Sequence, residues 1–155
     1  MIDIKPANLS HVKALAVLFD AYRVFYRKKT DLNGAEAFLS ARIQQNESVI
    51  FLAYHENTMV GFTQLYPLFS STNMQRLWLL NDLFVHPDFR GKKIGKALIK
   101  KAQEHCIETN AVGVSLETEK TNVPGNQLYP KMKFSLDKEH NYYFWENPSF
   151  SRGSE

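Results

Sequence analysis

Two acidic residues in apolar surroundings are the first candidates for chemistry in this sequence. Asp82 interrupts LWLLNDLFV at 77–85, the most apolar run of the chain, and burying a carboxylate in the middle of a sheet is costly unless it has a role. Glu117 lies in another strand-like segment, 111–118. Burial raises the pKa of a carboxyl group, so either residue could serve as a general base. The structural alternative is that Asp82 caps a bulge or bonds a neighbouring backbone group.

A basic segment containing two glycines follows the apolar run. Its residues are Arg90, Gly91, Lys92, Lys93, Ile94, Gly95 and Lys96. The segment lies between a predicted buried strand and a predicted helix, where free N–H groups and the helix dipole favour an anion. The P-loop spacing and the GxGxxG fingerprint are both absent. Two interpretations therefore stay open, a site for a small anion and a turn before a solvated basic helix start.

The elements that would position these residues are read from apolar periodicity. Strands are predicted at 2–5, 48–54, 59–66, 77–85, 111–118 and 141–145, and helices from Asn8 or Ser10 to Arg27, at 35–45, at 94–108 and at 123–131. The segment 67–76 is predicted to be a loop. In 77–85, residues at both odd and even positions are apolar, which indicates a central strand covered on both faces. Strand, helix and strand across 77–118 predict a parallel βαβ unit.

Length and composition favour one globular domain. The chain has 155 residues, 44% of them hydrophobic, and a net charge of +3, so residues 1–147 are expected to fold together with 148–155 as a flexible tail. One cysteine excludes an internal disulfide, and the histidines lack paired ligand spacing, so no metal is expected. We find no signal sequence, no membrane span and no clustered basic face for nucleic acid. A cytoplasmic protein is expected.

The basic segment resembles the [Q/R]-x-x-G-x-[G/A] signature of the GNAT superfamily of acetyl-CoA-dependent N-acetyltransferases. Arg90 matches its first position and Gly95 its last, while Lys93 stands at the middle glycine. A second stretch is similar to the family pattern N-x-x-A-x-x-L-Y-x-x-x-G-F, with Gly125 in place of the alanine and Lys133 in place of the glycine. Its matching residues are Asn122, Leu128, Tyr129 and Phe134.

The resemblance implies a fold and a cofactor site. The fold class is α/β (α+β), a mixed and mostly antiparallel sheet with a central parallel βαβ unit and helices on both faces. The backbone of Leu83, Phe84 and Val85 would line the pantetheine arm of acetyl-CoA, and residues 90–96 would hold its pyrophosphate. Asn122 and Tyr129 would border the thioester.

The same resemblance bears on the catalytic groups. Tyr129 would protonate or stabilise the leaving thiolate, although an aromatic residue on a short helix is otherwise a core residue. Relatives that acetylate polyamines have a glutamate base at the position of Asn81, so Asp82, Glu117 or a water chain must replace it here. Deprotonation is needed because an alkyl amine with a pKa of about 10.4 is almost fully charged at neutral pH.

The acceptor is less defined by sequence. The family's first helices and the loop before the central strand shape the acceptor pocket, which implicates Tyr22, Tyr26 and Asp31. Asn81, at the position of the glutamate base, is a further candidate for contact with the acceptor. Aromatic and acidic residues suit a cationic amine but equally suit a core. We expect direct acetyl transfer to a primary amine of a small molecule. The alternatives are a protein lysine or N-terminus and a non-catalytic CoA-binding regulatory module; the aromatic segment 141–145 also suggests a homodimer.

Overall fold

The computed structural model describes residues 1–150, in which helices lie against both faces of a five-stranded sheet. Its elements are β1 (Ile2–Pro6), α1 (Val12–Phe25), α2 (Leu32–Gln44), β2 (Val49–His55), β3 (Thr58–Ser70), β4 (Gln75–Val85), α3 (Ile94–Glu108), β5 (Val114–Ser115) and α4 (Val123–Lys131). The strands lie in the order β1 to β5, and only the β4–β5 pair is parallel. The predicted fold class is confirmed.

The sheet separates two apolar clusters because alternate residues of a strand face opposite sides. Ile50 and Leu52 of β2 pack with α1 and α2, whereas Phe51 and Ala53 pack with α3. A strand with apolar residues at both odd and even positions therefore stabilises the clusters on both faces of the sheet. Residues 1–150 contain no helix long and apolar enough to cross a membrane.

The two parallel strands separate soon after they meet. β4 and β5 pair only at Trp78 with Val114 and at Leu79 with Ser115. Beyond that point, Leu80–Val85 have no partner strand on the β5 side within the described residues. The predicted strand 111–118 is therefore shortened to two residues. A gap opens between β4 and the chain that follows β5.

Two sequence predictions are wrong. The predicted loop 67–76 is reduced to a turn at 71–74, because β3 and β4 continue as a hairpin whose register runs to Ser70 opposite Gln75. Ladder hydrogen bonds outweigh the turn-like composition of the remaining residues. Residues 141–145 are not a strand, since they pair with none of the five strands of the sheet and all five are exposed. Of the predicted tail, 148–150 are exposed and 151–155 lie outside the described residues.

Two lysines adopt backbone conformations that favour glycine. Lys93 has φ 64° immediately before α3, and Lys133 has φ 70° just after α4. The left-handed region costs a residue with a Cβ roughly 1–2 kcal/mol. The structure thus gives a physical reason for the glycines that the family patterns have at these two positions.

We predict that Lys133→Gly stabilises the protein. Glycine at this position removes the strain of roughly 1–2 kcal/mol that the left-handed backbone imposes on lysine. It also favours the unfolded chain by roughly 0.5–1 kcal/mol. The free energy of unfolding should therefore rise by up to about 1 kcal/mol. The matched control is Lys131→Gly within α4, which should lower the same quantity by about 1 kcal/mol. Urea unfolding measures both, and equal destabilisation by the two variants would contradict the strain.

Candidate active site

Asn81 is an extra residue in β4. The β3–β4 register pairs Gln64 with Asp82 and Leu65 with Leu80, so no residue of β3 lies opposite Asn81. An insertion of this kind is a β-bulge, which bends the strand and re-aims the side chains beyond it. The bulge coincides with the point at which β4 parts from β5.

The bulge changes which face the following side chains occupy. Leu80 packs in the α3 cluster, yet Phe84 packs in the cluster of α1 and α2, although in a regular strand residues four apart share a face. Asp82, two residues before Phe84, is directed to the α1 side as well and accepts a hydrogen bond from the hydroxyl of Tyr22. The bulge is therefore what turns this carboxylate toward α1.

Asp82 is buried, with 4% of its surface exposed. Desolvation raises the pKa of its carboxyl group, and hydrogen bonds from Gln64, Tyr22 and Asn81 only partly oppose that rise. Gln64 Nε2 lies 2.5 Å from Asp82 Oδ2, and Asn81 Nδ2 lies 3.0 Å from Oδ1. The result is an acid whose proton affinity is above that of an ordinary aspartate and whose oxygens are held by three donors.

Two tyrosines adjoin this carboxylate. Burial, and then the charge of Asp82, raise the pKa of both Tyr22 and Tyr66. Both phenols therefore stay protonated at ordinary pH and are available as donors.

Sequence reasoning missed Gln64 and Tyr66. A partial signal for Gln64 existed, because a long amide side chain stands in the predicted strand 59–66.

A cavity of about 490 Å³ opens beside the bulge. It is lined by Tyr22, Tyr26, Leu79, Leu80, Asn81, Glu117, Thr118 and Glu119. Four residues named from the sequence, Tyr22, Tyr26, Asn81 and Glu117, thus meet in one place. Asp82 does not line the cavity itself; it is connected to it through its hydrogen bonds with Tyr22 and Asn81.

The start of α3 presents free backbone donors. Lys93 precedes the helix with no side-chain cap, so the N–H groups of its first turn have no capping partner among the described residues. A Cβ on Gly95 would meet only Leu128 Cδ2, at 3.9 Å, and a Cβ on Gly91 would meet nothing within 4 Å. The space before the helix is therefore open, and Lys92, Lys93 and Lys96 are exposed around it.

Arg90 is oriented differently from these lysines. Its Nε donates to the carbonyl of Val85 at 3.0 Å, and its guanidinium lies over the rings of Phe25 and Phe84 at 5.4 and 5.6 Å. Arg90 thus ties the start of the basic segment to the end of β4. Phe84 is buried, whereas Leu83 and Val85 are partly exposed toward the solvent.

Asn122 joins the cavity wall to α4. Its Oδ1 caps the helix by accepting from Gly125 N–H at 3.2 Å, and its Nδ2 donates to Thr118 Oγ1 at 2.8 Å. A Cβ on Gly125 would lie 2.3 Å from Asn122 Nδ2. This contact explains why glycine stands at Gly125, since the capping side chain occupies the space of any larger residue.

Tyr129 is half-buried on α4 and packs edge-on against Phe134 at 5.9 Å between ring centres. Burial, and then the neighbouring Tyr26, raise the pKa of its phenol. Tyr129 is therefore protonated and lies near a residue of the cavity, although it does not line the cavity. α4 continues through Pro130 and ends at Lys131. Tyr129 therefore lies within the helix, although a proline follows it directly.

Asp31 lies outside this arrangement. Its carboxylate caps α2 by accepting from Gly34 N–H at 2.9 Å, and its own N–H donates to Asp20 Oδ1 at 2.8 Å. The structure gives Asp31 a role in joining α1 to α2 and does not bring it into the cavity. Within residues 1–150, no group of three or more His, Cys, Asp or Glu side chains is placed to hold a metal ion.

Comparison with known proteins identifies the family. A model described as the acetyltransferase (GNAT) family matches residues 15–134. The chain is 41% identical over 148 residues to the uncharacterized N-acetyltransferase YhfO of Bacillus subtilis, covering 96% of this chain and 99% of that protein. It is 35% identical over 127 residues to a probable acetyltransferase of Haemophilus influenzae, covering 78% of this chain and 87% of that protein.

Comparison with solved structures points to the same kind of protein. The crystal structure of a probable acetyltransferase superposes with a TM-score of 0.90 at 34% identity, covering 94% of this chain and 97% of the other. The matched family region includes the bulge in β4, the basic segment before α3 and all of α4. This chain belongs to the GNAT family of acetyltransferases.

Proposed function

We propose that the protein transfers an acetyl group from acetyl-CoA to a primary amine of a small molecule, by direct attack within a ternary complex. The observation that carries this proposal is the gap between β4 and the chain beyond β5. A basic helix start adjoins one end of the gap, and a cavity lined by carboxylates and tyrosines adjoins the other. The two ends therefore suit an anionic donor and a cationic acceptor.

The residues at the basic end fit a pyrophosphate. The first-turn N–H groups of α3 and the exposed lysines supply donors and positive charge, and Gly91 and Gly95 leave room for the phosphate oxygens. On the side facing away from β3, the backbone of Leu83–Val85 has no partner strand among the described residues, and it would exchange hydrogen bonds with the pantetheine amides. Acetyl-CoA supplies the acetyl thioester, and Asn122 with Tyr129 would border its sulfur.

The cavity supports a cationic acceptor. Glu119 is paired with Arg27 at 3.4 Å, but Glu117 has no cationic partner among the described residues, so its carboxylate is available to an ammonium group. Tyr22 and Tyr26 add aromatic faces that attract a cation. A relative 28% identical over 97 residues is the spermidine N(1)-acetyltransferase of Thermoplasma acidophilum, which supports a small amine.

A protein acceptor is the second candidate. A relative 29% identical over 77 residues is a putative ribosomal protein bS18-alanine N-acetyltransferase of Bacillus subtilis. The cavity of about 490 Å³ falls in the size range of small-molecule sites, roughly 300–1,000 Å³. This size favours a small molecule as the acceptor.

Asp82 is the proposed base, and it acts through the groups that line the cavity. The hydroxyl of Tyr22 donates to Asp82 and borders the cavity. A proton leaving the amine can pass to the Tyr22 oxygen as the Tyr22 proton moves to Asp82. The raised pKa of Asp82 favours this transfer, while Glu117 remains the alternative base within the cavity. Tyr129 is the proposed acid for the departing thiolate.

The function is tested by thiol release from acetyl-CoA over a panel of diamines, polyamines, aminoglycosides and peptides. We expect turnover with small cationic amines and none with peptides. Turnover with peptides alone would establish the protein acceptor, and binding of acetyl-CoA without turnover on any amine would establish the regulatory module.

Asp82→Asn and Tyr22→Phe should change the pH dependence of kcat/KM in the same way. Both should lower kcat/KM most at pH values above the raised pKa of Asp82 and below about 10, where the base is ionised and the amine is protonated. The loss should shrink at higher pH, because the solution then deprotonates the amine. Tyr26→Phe is the matched control, since it removes a cavity hydroxyl for which no bond to Asp82 is observed. A pH-independent loss for Asp82→Asn would indicate a structural role.

A further inference from the structure

A second cavity lies beside α2, and the proposed function leaves it without a role. Its volume is about 530 Å³, which falls in the range of small-molecule sites. It lies between the end of α2 and the second half of β3, and it is lined by Phe38, Arg42, Asn46, Glu47, Tyr66 and Pro67. The cavity is therefore large enough to receive part of a small ligand.

The two cavities adjoin across one cross-strand pair. Tyr66 of β3 lines the second cavity and lies directly opposite Leu79 of β4, which lines the acceptor cavity. Their neighbours Leu65 and Leu80 pack in the α3 cluster, so Tyr66 and Leu79 both face the side of α1 and α2. Residues paired in this way have Cβ atoms about 4.5–5.5 Å apart. A ligand longer than the acceptor cavity would therefore reach the second cavity at Tyr66.

The wall of the second cavity is rich in hydrogen-bond donors. Arg42, Asn46 and Tyr66 can all donate, and Glu47 is the one acidic residue in this lining. Burial, and then the charge of Asp82, raise the pKa of Tyr66, so its hydroxyl keeps its proton. A guanidinium among neutral donors suits a carboxylate, because arginine can bind both carboxylate oxygens through two parallel hydrogen bonds.

Arg42 has binding capacity that the fold does not use. Its Nη2 lies 3.2 Å from Glu47 Oε1, and its guanidinium lies 4.8 Å from the ring centre of Phe38. Its Nε is buried and has no hydrogen-bond partner among the described residues. The Glu47 side chain is 48% exposed, and ion pairs exposed to this extent are weak. A carboxylate ligand can therefore compete with Glu47 for the guanidinium.

The end of α2 needs no cationic ligand. The carbonyls of residues 41–43 accept hydrogen bonds from the backbone N–H groups of residues 45–47. Arg42 itself places a positive charge in the last turn of the helix, where it offsets the negative end of the helix dipole. The local backbone thus leaves Arg42 and Glu47 as the charges that decide which ligand enters.

We infer that the second cavity receives a carboxylate group of the acceptor, so that Arg42 selects amines that are also acids, such as ω-amino carboxylates. The inference rests on the proposed function for the amine end of the ligand, which lies beside Glu117 in the acceptor cavity. The connecting chain passes the Tyr66–Leu79 pair. The carboxylate takes the place of Glu47 on Arg42, and a turn of the guanidinium toward the cavity gives Nε an acceptor.

The first test compares matched substrates. Thiol release from acetyl-CoA is measured for ω-amino carboxylates of increasing chain length and for alkylamines of the same lengths. The ratio of kcat/KM for the two members of each pair should favour the carboxylate. It should also pass through a maximum, because binding at two points requires a chain that matches the span between them. A ratio that is flat, or that favours the alkylamine at every length, would overturn the inference.

Two variants should move this ratio in opposite directions. Arg42→Gln removes the proposed partner and should lower the ratio at least about tenfold, whereas Glu47→Gln removes a competitor and should raise it. Arg76→Gln is the matched control, since Arg76 lies over Trp78 of the α3 cluster, and it should leave the ratio unchanged. If Arg42 and Glu47 served only as a structural ion pair, both variants would shift the ratio in the same direction or not at all.

Binding without acetyl-CoA separates this inference from the proposed function. Calorimetric titration with ε-aminocaproate should show binding to the wild type and to Arg76→Gln, and a loss of affinity of at least about tenfold in Arg42→Gln. That pattern without turnover of any amine would support the carboxylate site and contradict the proposed function. Turnover of amines without any preference for a carboxylate would leave the proposed function intact and overturn the inference.

Discussion

The bulge at Asn81 is the constraint on which the site depends. One extra residue turns Asp82 toward Tyr22 of α1 and coincides with the place where β4 leaves β5. A regular strand would have put the carboxylate on the side of Leu80, against the apolar cluster of α3. The same local irregularity therefore accounts for both a buried carboxylate and an opening beside it.

Charge is distributed along this opening in a way that suits two substrates of opposite sign. The helix dipole and the lysines of 92–96 favour phosphate at one end, while Glu117 and the tyrosines favour an ammonium group at the other. Arg90 fixes the basic end to the sheet, because it binds the last carbonyl of β4 and packs over Phe84. Under the proposed function, local geometry rather than the net charge of +3 would decide which substrates bind.

Sequence reasoning found what depends on periodicity and family pattern. It predicted the sheet class, the parallel pair and the cavity residues Tyr22, Tyr26, Asn81 and Glu117. It missed Gln64, whose burial depends on the pairing of β3 with β4, and it misplaced Asp31, whose capping role depends on the turn between α1 and α2. It made the strand at 111–118 too long and predicted a strand at 141–145 that does not form, because periodicity reports a capacity to pair and not the presence of a partner.

The central claim is that the open start of α3 receives the pyrophosphate of acetyl-CoA, and Gly95→Glu tests it most directly. Measured by calorimetric titration and urea unfolding, this variant should keep its stability, because a carboxylate suits a helix N-terminus and a Cβ has room there. Its affinity for acetyl-CoA should fall at least about tenfold, or ~1.4 kcal/mol. Ala14→Glu, the same charge in the first turn of α1, should bind normally. Wild-type affinity in Gly95→Glu would contradict the account.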